Sequence, residues 1–545
     1  MQVPATVARP GEGFAYKWIV AIVVVFGIFM AVLDSTIVNI AIPRLQSAFG
    51  ANLNSVQWVL TGYTLAQGVA TPITAFLSDR LGIKRLYLVS LIGFTLGSAL
   101  CGLAWSLPML IVFRIVQGIS GAFMAPLAMT MLYREFPPNE RGMAMSVLGI
   151  PILLAPAFGP TLGGYIVTFA DWPLIFYINV PVGILGVLLG SMLLQEIPGN
   201  RNASFDIPGF LFATAGLGCL LYALSDASTD GWGSTRVLGF LSAGIVLLAI
   251  FTVIELVTAS NGGQPLLDLR VFGNRAFTTS SIASILVTFA LFGGLFLIPV
   301  YLQNLRHLSA YQAGLVLLPQ AFASMIAMFI SGRLVDKFGV KAAVIPGLLV
   351  LIFAMWLFTG LTLTIPLLAF QGMLIIRSLS LGFCMQPLNV SALSEIEPRQ
   401  LPLASSVSTT LRFVSMSLGV ALIATVVQAQ TKIHYAHLAE LVTPASPLGQ
   451  LLARLQALFV SQGASLAAAR SAAARVIWGL LQQQAYVLGM RDAFWLSAGL
   501  AVIALIAAFF VGGSRKQAQL AQRPTSHKEE QEEEDLTREE ALLGI

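Results

Sequence analysis

A single carboxylate interrupts a long apolar run. Trp18 to Pro43, WIVAIVVVFGIFMAVLDSTIVNIAIP, contains one ionisable side chain, Asp34. A helix rises about 1.5 Å per residue, so roughly 20 apolar residues cross a hydrocarbon core. An aspartate near the middle of such a span costs about 2.5–3.5 kcal/mol. A chain tolerates that cost when the carboxylate faces a wet or paired interior, or carries a proton. Two roles fit: a structural aspartate hydrogen-bonded to a neighbouring helix, or a site that couples protons or cations to movement. Ser35 and Asn39 are four residues apart and share a helix face close to Asp34. A carboxylate beside a hydroxyl and an amide is suited to exchanging a proton with water in a cavity.

A second charge lies in the run 108–131. Arg114 shares a helical face with Gln117, Gly118 and Gly121. Glycines let a partner helix approach closely, and the arginine then needs a polar partner. It either caps the carbonyls of a broken helix or stands near Asp34, where a fixed positive charge favours the ionised carboxylate and helps expel its proton. Arg377 and Arg412 also fall in apolar runs, where either could pair with a carboxylate or bind a substrate. Glu255, near the end of an apolar run, reads as a snorkelling side chain. His434 and His437 are three apart, too few ligands for a metal site without a third.

These groups need elements to place them. The 545 residues are 57% hydrophobic and 10% charged, with a mean hydropathy of +0.84; ordinary soluble domains carry about 25% charged residues. This is the composition of an integral membrane protein. The net charge of +5 does not point to nucleic acid, because the basic residues sit mostly in short loops. Cys101, Cys219 and Cys384 fall within apolar spans without paired spacing and read as small buried hydrophobes. The first apolar run is too long for a cleaved leader and reads as an uncleaved first span.

Apolar runs of spanning length fall near 18–42, 57–77, 86–105, 108–131, 143–169, 173–194, 208–224, 237–258, 277–301, 312–332, 342–361, 364–391, 403–428 and 492–512, which predicts fourteen helices. With the N-terminus inside, the short inner segments hold fourteen Lys and Arg against three in the short outer loops, Arg44, Arg236 and Arg306. That bias places both termini in the cytoplasm.

Leu77-Ser78-Asp79-Arg80-Leu81-Gly82-Ile83-Lys84 recurs as Leu334-Val335-Asp336-Lys337-Phe338-Gly339-Val340-Lys341, shifted by 257 (334 − 77). The copies sit on the inner loops after spans two and ten, eight spans apart. Two six-helix bundles with two inserted helices satisfy that spacing. The expected organisation is therefore a bundle over 1–195, an inserted pair over 196–262, and a second bundle over 263–512. The second bundle includes a long outer loop over 429–491, and an acidic cytoplasmic tail follows over 513–545. Within the outer loop, Leu448–Phe459 and Leu466–Leu488 look helical and amphipathic, with Gly463-Ala464-Ser465 as the break and N-cap. In the repeated motif, Asp79, Arg80, Gly82 and Lys84, and Asp336, Lys337, Gly339 and Lys341, can make charge contacts between helix ends. Such contacts hold one conformation closed and break in the other, as gate latches do.

Span five carries Gly149, Pro151, Pro156, Gly159-Pro160 and Gly163-Gly164. Prolines remove backbone bonds and kink a helix, while Gly159 and Gly163 form a G-x-x-x-G packing face. A kinked helix packed on the opposite bundle serves as a hinge or a leak seal.

Together the motifs resemble the fourteen-span drug:proton antiporters of the major facilitator superfamily, EmrB/QacA type. Leu33 to Pro43 is similar to that family's first-span signature, and Leu77 to Lys84 to the superfamily loop motif, with Ala75 at a usual glycine. Arg114-x-x-Gln117-Gly118 resembles the fourth-span proton-transfer motif. Ala155 to Gly164 resembles the antiporter motif, with Ala155 at a common glycine position. Phe176 to Gly183 and Pro265 to Leu269 match further family segments. The resemblance implies proton coupling by Asp34 and Arg114, and antiport hinge roles for Pro156, Gly159, Pro160, Gly163 and Gly164. It also implies a periplasmic adaptor protein and an outer-membrane channel as partners, in a bacterial inner membrane.

The expected function is export of hydrophobic drug-like compounds by alternating access, driven by the proton gradient with no cofactor. Asn39, Gln117, Arg377 and Arg412 are further candidates for substrate binding or coupling. A dedicated exporter of one metabolite or siderophore is the alternative on the same scaffold. Four scattered histidines and lone cysteines argue against an enzyme.

Overall fold

The computed structural model describes residues 16–511 apart from 52, 197–204, 262, 264, 268 and 399. The expected acidic tail, together with Arg9, Arg201, Asp268 and Arg399, lies outside the described residues. The described regular structure is helical throughout. Among the described residues, eleven helices or helix runs are long and apolar enough to cross a membrane. The fold is an all-α integral membrane architecture.

In chain order the helices are α1 (Tyr16–Phe49), α2 (Leu53–Ala70), α3 (Thr74–Leu81), α4 (Ile83–Gly102), α5 (Leu107–Ala122) and α6 (Met124–Glu135). Then follow α7 (Arg141–Phe169), α8 (Leu174–Tyr177), α9 (Asn179–Leu193), α10 (Ile207–Asp230), α11 (Thr235–Ser260) and α12 (Arg275–Val300). The last six are α13 (Ala310–Phe338), α14 (Val340–Phe358), α15 (Leu367–Leu393), α16 (Leu401–Glu440), α17 (Pro447–Ser461) and α18 (Leu466–Phe510). Large apolar side chains such as Val89, Leu96, Ile245 and Ile503 remain exposed on outward faces, as hydrocarbon solvation requires.

Helix α1 packs on α7, α7 on α13, and α13 on α15, forming a continuous central row. Helices α10 and α11 pack mainly on each other, and α10 also reaches α2 and α16. Pro72 interrupts the second span: a short 3-10 turn, Thr71–Ile73, separates α2 from α3. The fourth span likewise breaks at Phe123, between α5 and α6.

The repeated loop motif folds the same way twice. Gly82 and Gly339 adopt φ of +89° and +87°, a region closed to most side chains, and each ends one helix and starts the next. Lys84 Nζ then donates to the Ser191 carbonyl (2.8 Å) at the end of α9, and Lys341 Nζ to the Phe509 carbonyl (2.7 Å) at the end of α18. A cation at a helix C-terminus meets the negative end of the dipole. The sequence echo is thus an echo of helix capping.

Two expectations need correction. The stretch after Gln428 is not a separate loop, because α16 continues unbroken to Glu440 and α18 begins at Leu466 and runs straight into the last span. Only α17 and its connections stand apart. The break is where the composition placed it, with Gly463 at φ +92° and the Ser465 side chain accepting from Ala468 N–H (3.3 Å). Glu255 does not snorkel: it is 1% exposed and lies against Gly209 at the α10–α11 contact.

Candidate functional site: a buried ion pair beside a central cavity

Asp34 is fully buried, at 0% exposure. One carboxylate oxygen pairs with Arg114 Nη1, and the other accepts from Gln117 Nε2 (3.0 Å) and Asn179 Nδ2 (2.8 Å). Arg114 is equally buried. Its Nε donates to the Val59 carbonyl (3.1 Å) and Nη1 also to Gln117 Oε1 (2.9 Å), while its guanidinium lies 3.9 Å from the Tyr63 ring centroid. Each carboxylate oxygen is therefore hydrogen-bonded, and the arginine is held by α2 and α5 together. Burying two charges without such partners would be strongly unfavourable.

Spacing of three and four residues places Arg114, Gln117 and Gly118 on the buried face of α5. Gly118 is needed there, since an added Cβ would lie 2.6 Å from the Tyr63 carbonyl. From the sequence, a place near Asp34 is one of two alternatives for Arg114 and Gln117 is a substrate or coupling candidate, while Asn179 is given no role. Its signal was present: an asparagine standing inside the apolar stretch Phe176 to Val182.

The hydroxyl and amide expected beside Asp34 go elsewhere. Ser35 Oγ turns back to the Val32 carbonyl (2.8 Å), and Asn39, which is exposed, donates to the Ser35 carbonyl (3.2 Å). Ser35 and Thr36 instead line a central cavity of about 280 Å³, whose wall does not include Asp34 or Arg114. Gln67, Gln320, Gln386, Arg377 and Arg412 also line it, among apolar side chains such as Ile28, Val32, Met328 and Phe413. The same helix thus carries one partner of the ion pair and part of the cavity wall.

Helix α7 fixes that geometry. A Cβ on Gly159 would collide with the Thr36 side chain, and one on Gly163 would lie 2.7 Å from Ile37 Cγ1. Thr36 Oγ1 donates to the Ala155 carbonyl (3.2 Å). The G-x-x-x-G face is seated on α1 beside Asp34, while a Cβ added to Gly164 would lie 3.4 Å from the Tyr311 backbone nitrogen on α13. Helix α7 runs without a break from Arg141 to Phe169; the side chains of Pro156 and Pro160 lie outside the described residues.

At the end bearing the repeated motif, α7 and α13 are tied together. Asp336 accepts from the backbone N–H groups of Gly142 (2.8 Å) and Met143 (3.2 Å), at the N-terminus of α7. Ser146 donates to the Met328 carbonyl, Ser406 to the Thr71 carbonyl and Arg134 to the Pro398 carbonyl, at 2.8, 2.7 and 2.7 Å. In the second copy of the motif, Asp336 therefore caps a helix. Asp79, Arg80 and Lys337 are exposed at this end. On the opposite side, His434 pairs with Asp492 (2.7 Å).

The family model described as Major Facilitator Superfamily matches residues 24–420. The chain belongs to that superfamily. A major facilitator relative, the uncharacterized MFS-type transporter YhcA of Bacillus subtilis (strain 168), is 34% identical over 91% of this chain and 93% of its own. The multidrug export protein EmrB of Escherichia coli (strain K12) is 30% identical over 91% and 95%. The solved xylose transporter XylE from E. coli, at 14% identity, covers 92% of this chain and 99% of its own with a TM-score of 0.53, which speaks for the fold alone. Superfamily membership assigns the chain a transport role rather than a catalytic one.

Proposed function

We propose that this chain is a proton-coupled exporter of hydrophobic small molecules, working by alternating access. The observation that carries the reading is Asp34. It is a buried carboxylate paired with a buried cation, on a helix that also lines the cavity through Ser35 and Thr36. Protonation of Asp34 removes its charge and releases Arg114 from it. Deprotonation restores the pair. A side chain with two such arrangements can bias the packing of α1, α5 and α7, which is how a local charge change becomes a global one. The proton runs down the gradient, and each charge crossing the field supplies about 2.3 kcal/mol per 100 mV. The substrate leaves as the proton enters.

The family relatives named as export proteins support export over import. The mostly apolar cavity wall favours hydrophobic cargo. Adding α2–α3, α7 and α12 to the eleven membrane-length helices gives fourteen spans, two six-helix bundles with α10 and α11 between them. That count fits the EmrB/QacA type, with both termini on the cytoplasmic side of a bacterial inner membrane. The contacts around Asp336, Ser146 and Ser406 close the cytoplasmic end of this conformation. The helical hairpin formed by the outer ends of α16 and α18 with α17 is a surface for a periplasmic adaptor, with an outer-membrane channel beyond it.

The test uses everted vesicles with an acidic lumen. Adding a transported hydrophobic compound should speed the collapse of the pH gradient in vesicles carrying the parent chain and not in empty ones. Accumulation that persists unchanged after the pH gradient is abolished would overturn proton coupling.

A further inference from the structure

We propose that the central cavity selects amphipathic organic anions, recognised by Arg377 and Arg412. The inference rests on the exporter reading and names the substrate class of its cavity. Both arginines line the cavity, and among the described residues that line it none is acidic. Among the described residues neither arginine forms an ion pair. Arg114 shows the contrast: equally buried, it has Asp34.

Arg377 is 1% exposed on α15. One of its terminal nitrogens donates to the Leu291 carbonyl on α12, while its Nε, also buried, has no hydrogen-bond partner among the described residues. A guanidinium buried without a counter-ion is unfavourable, and its fork of donors matches carboxylate, sulfonate or phosphate oxygens. Arg412, partly buried on α16, supplies a second positive charge on the same cavity. Gln320 and Ser324 on α13 and Ser378 and Gln386 on α15 add neutral polar groups. The rest of the wall, including Ile28, Met328, Leu381 and Phe413, is apolar. A ligand with one acidic head and a small aromatic or aliphatic body satisfies both parts. A lipophilic cation would enter a cavity that carries two positive charges and no carboxylate.

The test compares three compounds sharing one ring system in everted vesicles with an acidic lumen: naphthalenesulfonate, naphthamide and a naphthyl trimethylammonium. The parent chain should take up the sulfonate in preference to the ammonium. In Arg412→Gln the ratio of sulfonate to amide uptake should fall at least about tenfold, the worth of one charge-assisted hydrogen bond. Arg412→Lys, which keeps the charge, should recover most of it. Arg377→Gln should act in the same direction; because Arg377 also holds Leu291, Arg412 is the variant that decides if Arg377→Gln does not fold. Preferential uptake of the ammonium, or a sulfonate-to-amide ratio untouched by Arg412→Gln, would overturn the anion assignment while leaving export intact. Failure of the parent to move any of the three would overturn the exporter reading and this inference with it.

Discussion

Gly159 of α7 lies so close to Thr36 of α1 that a methyl group added there would meet the Thr36 side chain and, at 3.2 Å, its carbonyl carbon. Two residues before Thr36 stands Asp34, whose carboxylate pairs with Arg114 of α5. The glycine face of α7 and the ion pair therefore act on one short segment of helix. Gly159→Ala should force α1 outward. Overpacking of this kind costs about 1–3 kcal/mol and should be seen as a lowered thermal midpoint in detergent. Transport should fall further than the stability loss explains, because the displaced segment carries Asp34. Wild-type transport with a lowered midpoint would detach the glycine face from coupling.

Removing one partner of a buried pair leaves the other unpaired. Arg114→Gln should destabilise the protein by about 3–5 kcal/mol. Asp34→Asn combined with Arg114→Gln should regain a large part of that loss, because no lone charge remains. Neither variant should couple to protons. A double variant no more stable than Arg114→Gln would mean that Asp34 costs nothing once the arginine is gone, its carboxyl group being satisfied by Asn179 and its other neighbours.

Asn179 donates to both Asp34 and Ser98, the latter at 3.1 Å. Asn179→Leu removes a donor to a buried carboxylate and should cost about 1–3 kcal/mol, read by chemical or thermal unfolding. Exchange driven by a pH gradient should slow as well. Unaltered stability would show that Gln117 and Arg114 suffice to hold the carboxylate.

Asp336 closes one end of the molecule by capping α7. Asp336→Ala should open that end, exposing Ser146, which is buried against Met328. In a background lacking Cys101, Cys219 and Cys384, a Ser146→Cys reporter should react with a membrane-impermeant maleimide from the cytoplasmic face. The rate should rise roughly tenfold or more over the same reporter with Asp336 intact, the effect of losing hydrogen bonds to a charged group. Equal rates would remove Asp336 from the closure.

Much of the packing around Asp34 is legible in the sequence. A lone aspartate in an apolar run demands a partner, and Arg114 with Gln117 at helical spacing offered one. The loop echo from Leu77 and Leu334 returned as paired helix caps at Lys84 and Lys341. What periodicity could not supply was rotation and register. A single helix shows which residues share a face, not which neighbour that face meets, so Ser35 was expected beside Asp34 and lines the cavity instead. Asn179, which completes the carboxylate's shell, comes from a helix 145 residues away. Arg377 and Arg412 could be recognised as costly, but only packing shows that they face a shared space without an acid. The length of α16 was hidden because its outer extension is too polar to read as a span, while nothing in it breaks a helix.

The most direct measurement is proton flux through Asp34→Asn in everted vesicles, followed by a luminal pH dye as a transported compound is added. Asparagine keeps the shape and can still meet Gln117 and Asn179, but it carries no titratable proton. The exchange mechanism requires that the variant fold, bind the compound, and leave the luminal pH unchanged on its addition. Compound-dependent collapse of the gradient at the parent rate would contradict the role given to Asp34.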